Sequence, residues 1–546
     1  MIVIEAYIVL GLIFILISYG IWKKSGISER TKRFQVLFFV LFFLLFFLRV
    51  FKVYSILGID ADEAMGALNS WSLGKYGIDY FNLFTLPVYL YAWGSGMNIL
   101  YPLITIPFVK YIGLNIIAYR TPLIVINILA ISIFAFSLLK SKWTNRNIFF
   151  CLMIIFMSPG TIINSRWAVE SNLFPPLIYI ATACFILYKY NNKKQYFYCY
   201  NIILALSAYS YSNYWIFLTL FVGITLFWQF QQRNVNIYDV VITGIGYVTI
   251  ELPLILFLVA NYVVHKNIFI GKLSIPCLDA TRSVFMPFNV SSILTNISEF
   301  FKMLILGYDG NLKMGIPLWG EFLPFMLTFS LIGLIFLLLK RTMLDKYMLI
   351  MLVALIPNIL FIKPSWLHLN IILFPLLYFE YKGVINTFKT KSTQIVFTFI
   401  FMSLLTIYGI KYSSHYVENF QNGQNNTPLE LGKLINKANQ QKKGIYIVAS
   451  YQKDETLVNS LYVLPLFYEK ISPYYFKELT KEVKPAEFRS IYDFGKWHIR
   501  EMDTFNSKSL TKGSICIMQN KAIEKGKNKN LILIKKSKFY SMFKVR

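Results

Sequence analysis

The chain reads as an all-α polytopic membrane protein that ends in a small α/β domain, and three observations predict this. Hydrophobic residues fill 56% of its 546 positions and aromatic residues 18%, too apolar a mixture for an ordinary soluble fold. Apolar runs of bilayer-crossing length, about 17 to 25 residues each, recur along most of the chain, and about twelve can be read. From residue 411 they give way to short β-like runs alternating with helical patterns.

A backbone in lipid must satisfy its own hydrogen bonds, and the runs lack the alternation of barrel strands, so each is predicted to be a helix. The first run has Glu5 where a signal peptide would carry lysines and shows no small-residue cleavage site. It is predicted to be a retained extra span that ends in a cytoplasmic loop, residues 1–33. Residues 34–410 form the main transmembrane module and residues 411–546 the appended domain.

Orientation follows from lysine and arginine, which keep short loops cytoplasmic. "KKSGISERTKR" at 23–33 carries five basic residues against one acid, and 140–146, 189–194, 340–346 and 380–391 are also basic in excess. Residues 50–120, 165–172, 264–320, 363–370 and everything beyond 411 then fall on the outer face. The protein is expected in the cell membrane, with its chemistry on the extracytoplasmic side.

The outer segments concentrate the chain's scarce acids. Only fifteen Asp and Glu occur before residue 411, and four of them, Asp60, Asp62, Glu63 and Asp79, lie within twenty positions, in and after "GIDADEAMGALNS". Carboxylates near a membrane surface line polar cavities or stay solvated, because desolvating them is costly. A structural reading stands beside the functional one: Asp62 caps the helix that follows, with Glu63 at the positive end of its dipole. Beyond that helix lies a Tyr-, Trp-, Pro- and Gly-rich stretch suited to an element along the interface, and then Arg120 and a clear span.

This order resembles the GT-C glycosyltransferases, in the branch of protein mannosyltransferases and the lipid A aminoarabinose transferase, which use polyprenyl-phosphate-linked sugars. Their first outer loop has an acidic motif, two juxtamembrane helices and an arginine, matched here by Asp62-Glu63, residues 64–118 and Arg120. A later arginine and acid match Arg166 and Glu170 in "SPGTIINSRWAVESNLF". A late outer motif matches Lys363, Trp366, His368 and Pro375 in "KPSWLHLNIILFPLLYFEYKG". The resemblance covers residues 34–410; it lacks the relatives' tandem His-Pro-Pro and any Trp-Trp-Asp acceptor motif.

The chemistry such a site needs can be argued from residue types. A base takes the acceptor's hydroxyl proton, and cations hold the departing phosphate as charge builds on it. Asp62 is the expected base, with Glu63 sharing or orienting it and Glu170 as a further acid. Arg120, Arg166, Lys363 and His368 are the expected donor-phosphate ligands. Attack opposite the leaving phosphate inverts the anomeric centre, as the resemblance also implies. Plainer readings are a helix-surface pair for Arg166 and Glu170, snorkelling for Lys363 and a buried hydrogen-bonded ring for His368. Asp60 and Asp62 form an Asp-x-Asp that could hold Mg or Mn, although no cofactor is required. Glu251, inside a span beside Pro253, reads as a helix-packing residue, and the loop at 264–320 with Asp279, Arg282 and Asp309 as a cover for the cavity.

Residues 411–546 hold 24 Lys and Arg against 12 Asp and Glu, a surface that favours an anionic envelope polymer as acceptor; membrane lipid is the other expected partner and nucleic acid is not one. The five cysteines follow no spacing motif, and no nucleotide-binding glycine loop, zinc pattern or repeat is present, which favours a lipid-linked donor. The competing classes are a flippase or transporter of lipid-linked saccharides, which predicts charges through the mid-membrane core and repeated halves, and a non-catalytic partner subunit.

Overall fold

A computed structural model describes residues 2–54, 58–92, 95–279, 289–311, 314–316, 319–339, 341–421, 429–441, 443–449, 461–480, 493–501, 505–507, 510–520 and 530–546. Arg282 lies outside these. The fold is mostly helical, as expected of a multi-pass membrane protein. Eight helical segments of the described residues are long and apolar enough to cross a bilayer, and Leu100–Ile112, Asn145–Met157 and Met326–Leu337 are shorter apolar helices.

In chain order the helices used below are α1 (Ile2–Lys24), α2 (Lys32–Val50), α3 (Ala61–Tyr76), α4 (Leu100–Ile112), α5 (Ile116–Lys140), α6 (Asn145–Met157), α7 (Pro159–Asn164), α8 (Phe174–Asn191), α9 (Lys194–Ser207), α10 (Trp215–Gln231), α11 (Ile237–Val259), α12 (Val290–Leu306), α13 (Met326–Leu339), α14 (Met343–Phe361), α15 (Leu373–Thr387), α16 (Lys391–Gln421) and α17 (Leu429–Ala438). The chain forms two compact units, each discontinuous in sequence. One comprises Met1–Phe51, Leu123–Leu254 and Ser283–Ser414, and the other Lys52–Pro122, Ile255–Arg282 and His415–Arg546.

The first unit is the larger helical body. Its α13 and α15 touch backbone to backbone because glycine faces them: a Cβ on Gly333 would lie 1.9 Å from Phe379 O, and one on Gly383 2.0 Å from Phe329 O. Small residues allow such close helix approach in lipid. At the start of α14, Thr342 and Asp345 form a capping box, and Asp345 also accepts from Tyr378 Oη at 2.6 Å and pairs with Lys382 at 3.2 Å. On α11, Asp239, Thr243, Tyr247 and Glu251 recur every four residues and so share a face. Asp239 meets Lys194 and Tyr198 of α9, each at 2.9 Å.

The second unit combines α3 and α4 with a mixed six-stranded sheet from the C-terminal residues. Its strands, β5 to β10, follow two small hairpins, β1–β2 (Tyr89–Leu90, Met97–Asn98) and β3–β4 (Ile268–Ile270, Leu273–Ile275). They are β5 (Ile445–Ala449), β6 (Asp493–Phe494), β7 (Trp497–Glu501), β8 (Ile515–Gln519), β9 (Leu531–Lys536) and β10 (Tyr540–Val545), in spatial order β6-β7-β5-β8-β10-β9. The central β5 is parallel to both neighbours, β7 and β8, and its Ile445, Ile447 and Val448 are buried. Together with α17 this is the α/β domain expected from the β-like runs after residue 411.

Helix α3 is buried from Glu63 to Ser72. Gly66 admits the Tyr119 hydroxyl, which a Cβ would meet at 1.9 Å, and Ser70 Oγ bonds Thr105 Oγ1 of α4 at 2.6 Å. Tyr80 Oη donates to Ile471 O at 2.9 Å, so the segment after α3 is tied to the C-terminal residues within this unit.

Candidate active site

The first outer motif folds around a helix start. Asp60, extended at φ −88° and ψ 167°, is the N-cap of α3: its Oδ1 accepts from Asp62 N at 2.8 Å and Glu63 N at 3.2 Å, and Glu63 Oε2 accepts in return from Asp60 N at 3.2 Å. This capping box satisfies free amides of the first turn. The capping role read for Asp62 therefore belongs to Asp60. Asp62 is the exposed carboxylate of the three, whereas Asp60 and Glu63 are buried.

Glu63 also meets Arg120. Arg120 Nε donates to Glu63 Oε1 at 2.8 Å and Nη2 to Oε2 at 2.6 Å, the fork-to-fork geometry that guanidinium and carboxylate favour. The remaining donors reach Val53 O at 3.0 Å and Gly58 O at 2.8 Å, and the arginine is 2% exposed. Arg120, expected as a phosphate ligand from its place in the chain, is here turned to protein, where it holds Glu63 at the start of α3. Glu63 likewise answers to Arg120 and to the cap, where sharing with Asp62 was expected. Asp79 is enclosed by its own turn: it accepts from Asn82 N at 2.9 Å and Phe84 N at 2.5 Å, and burial pushes its carboxyl above the ordinary range against the pull of those amides.

The second and third motifs lie in the other unit, and the structure brings them together. Arg166 follows α7 in a turn and donates from Nη1 to Leu48 O at 3.0 Å and from Nη2 to Phe51 O at 2.8 Å, tying off the end of α2. Glu170 is buried and opens a 3₁₀ turn, Glu170–Leu173. Residues 165–169 are not helical, so Arg166 and Glu170 are not one turn apart on a common helix and the helix-surface reading of them fails. In the third motif Lys363 is exposed, and His368 is half-buried with Nδ1 3.2 Å from Lys363 O.

Three asparagines that the sequence reading passed over join these motifs. Asn172, Asn213 and Asn370 each sit in a 3₁₀ turn that opens α8, α10 or α15. Asn370 Nδ2 donates to Ser171 O and Asn172 Oδ1, both at 3.0 Å, and its Oδ1 accepts from Tyr214 Oη at 2.7 Å. Asn213 O accepts from Asn358 Nδ2 at 2.5 Å. The network ties Ser171, the residue after Glu170, to Asn370, two residues beyond His368. A signal was present: "NLFPP" at 172–176 and "NIILFP" at 370–375 share an asparagine followed by Phe-Pro at a span's start.

Two more acids frame these motifs. Asp309 Oδ2 accepts from Trp366 N at 2.8 Å and Oδ1 from Asn311 N at 2.8 Å. Glu321 O accepts from Gly160 N at 3.2 Å and Ser158 Oγ at 2.8 Å, while its carboxylate is fully buried with no hydrogen-bond partner on either oxygen. A Cβ on Gly160 would lie 1.9 Å from Glu321 Oε2, so only glycine leaves room for this acid. Burial, and then the charge of Asp309, hold the Glu321 carboxyl well above its ordinary range. Among the described residues no three His, Cys, Asp or Glu are grouped to hold a metal ion. Asp60, half of the expected metal pair, is the helix cap.

With this geometry in place, the class of fold can be stated: it is a polytopic helical membrane fold with an appended sheet domain, and it has likenesses among solved structures. The crystal structure of ArnT from Cupriavidus metallidurans bound to undecaprenyl phosphate is similar over 94% of this chain and 98% of its own, with TM-score 0.51 and 9% identity. Its apo form is similar over 93% and 96%, with TM-score 0.50 and 8% identity. At such identity the likeness is one of fold. No family model and no curated protein matches the sequence.

Proposed function

We propose that this chain is an inverting membrane glycosyltransferase that moves a sugar from a polyprenyl-phosphate donor to an acceptor on the extracytoplasmic side of the cell membrane. One observation carries the reading: of the three clustered acids, Asp60 caps and Glu63 pairs, and Asp62 alone stands exposed on the rigid first turn of α3. The donor class is supported by the fold neighbour, which was crystallised with undecaprenyl phosphate.

In this reading Asp62 takes the proton of an acceptor hydroxyl as its oxygen attacks the anomeric carbon. The bond from that carbon to the phosphate oxygen breaks, and the electron pair leaves on the polyprenyl phosphate. Arg166, Lys363 and His368 stabilise that anion, and Glu170 serves as a further acid. Glu63 and Arg120 keep α3 in place. The basic C-terminal residues favour an anionic acceptor, an envelope polymer above other lipids or proteins.

The test is a transfer assay with purified protein and radiolabelled polyprenyl-phosphate sugars. Asp62→Asn is expected to lower turnover by about 100- to 10,000-fold, the usual contribution of a general base. Undiminished turnover removes Asp62 from the reaction, and native protein that releases polyprenyl phosphate from no donor contradicts the enzyme reading.

A further inference from the structure

Helix α12 has three faces where a span or a soluble helix has one or two. At about 100° per residue, Asn296, Phe300 and Met303 fall on one side, and all three are buried. Val290, Leu294, Phe301 and Ile305 fall on a second, exposed by 72%, 61%, 56% and 74%. Ser291, Thr295, Ser298, Glu299 and Lys302 fall on a third and are all polar and exposed, with Glu299 and Lys302 paired at 3.8 Å. Its 17 residues span about 26 Å at 1.5 Å each, short of a bilayer's hydrocarbon core, and polar groups occupy its middle.

The buried face shows at which level this helix sits. Asn296 Nδ2 donates to Leu360 O at 2.9 Å, one residue from the end of α14, where the chain leaves a predicted span toward Lys363. Before that end α14 itself exposes the apolar Val353 and Ile356. One face on protein, one apolar and one charged is the arrangement of an in-plane helix at a membrane boundary.

We propose that α12 lies along the bilayer boundary at the Lys363 end of α14, with Leu294, Phe301 and Ile305 in the lipid hydrocarbon. The seat also bears on the motifs. Behind α12, Gly307 O accepts from Glu321 N at 3.1 Å, Glu321 O holds the start of α7, and Asp309 holds Trp366 N. The helix in lipid and the second and third motifs are therefore fastened to one loop. The inference is independent of the reaction and of which membrane face is external.

The experiment is nitroxide accessibility of the full chain in phospholipid nanodiscs, with the five native cysteines replaced and one cysteine introduced at a time: Leu294→Cys, Phe301→Cys, Ile305→Cys, Thr295→Cys, Ser298→Cys and Lys302→Cys. Collision with oxygen is expected to exceed collision with a water-soluble nickel chelate at 294, 301 and 305, and the ratio to invert at 295, 298 and 302. Nickel-dominated collisions at all six positions would overturn the proposal, as would spin–spin broadening confined to the stripe, which would assign the face to a second copy.

Discussion

Glu63, on α3, and Glu321, in the loop before α13, are both withdrawn completely from solvent, yet only Glu63 has a cationic partner. An isolated ionised carboxylate in a dry interior is too costly to persist. At Glu63 the cost is offset by a bidentate guanidinium and a helix cap; at Glu321, which has no such partner among the described residues, burial raises the carboxyl well above its ordinary range. The first arrangement is a buried ion pair fixed by Arg120, whereas burial in the second favours the protonated form. A buried acid in a membrane protein is therefore not by itself a catalytic one, and on the proposed function the exposed Asp62 is the better candidate.

Breaking the Glu63 arrangement should have the largest effect on stability. Arg120→Met leaves a buried carboxylate without its ion, a change that costs about 3 to 5 kcal/mol, and a large fall in Tm in detergent is expected; an unchanged Tm would mean the pair is solvated. Next comes Gly160→Ala, which drives a methyl into Glu321 and Leu373 and should cost about 1 to 3 kcal/mol by overpacking. Asp60→Ala removes the cap of α3 for about 1 kcal/mol. The smallest effect is expected from Glu321→Gln, an isostere of the protonated acid, with Tm near native at pH 5.

The pH dependence of that variant sharpens the comparison. The folded Glu321 carboxyl binds its proton more tightly than the unfolded one, so its contribution to stability is full below the ordinary carboxyl range and falls as pH rises above it. Native protein should lose Tm between pH 5 and pH 8 relative to Glu321→Gln. Parallel Tm profiles for the two would show that Glu321 is ionised and paired in the folded state.

Much of this was legible in the sequence because it depends on local pattern. Apolar run length gave the polytopic helical class, although about twelve spans were read and eight helical segments of the described residues are long and apolar enough to cross a bilayer; β5, β8 and β9 fall at the runs "GIYIVAS", "GSICIM" and "NLILIKK". The cap was legible too: Asp60 and Glu63 stand three apart, as a capping box requires, although Asp62 beside them offers a competing start. What could not be read is which distant group takes each charge. Arg120 is 57 positions from Glu63, and nothing local distinguishes a phosphate ligand from a structural partner. Arg166 and Glu170 have helical spacing, but the chain breaks its helix between them. Glu321 drew no attention because its isolation is a property of packing against Gly160, which only the folded chain reveals.

The central claim is that neighbouring acids have separate duties, Asp62 in the reaction and Glu63 in the fold. Measuring transfer rate and Tm together for Asp62→Asn and Glu63→Gln tests it most directly. The account predicts that Asp62→Asn keeps its native Tm and loses turnover, while Glu63→Gln loses several degrees of Tm. A fully active Asp62→Asn protein, or a Glu63→Gln protein with native Tm and no turnover, would contradict it.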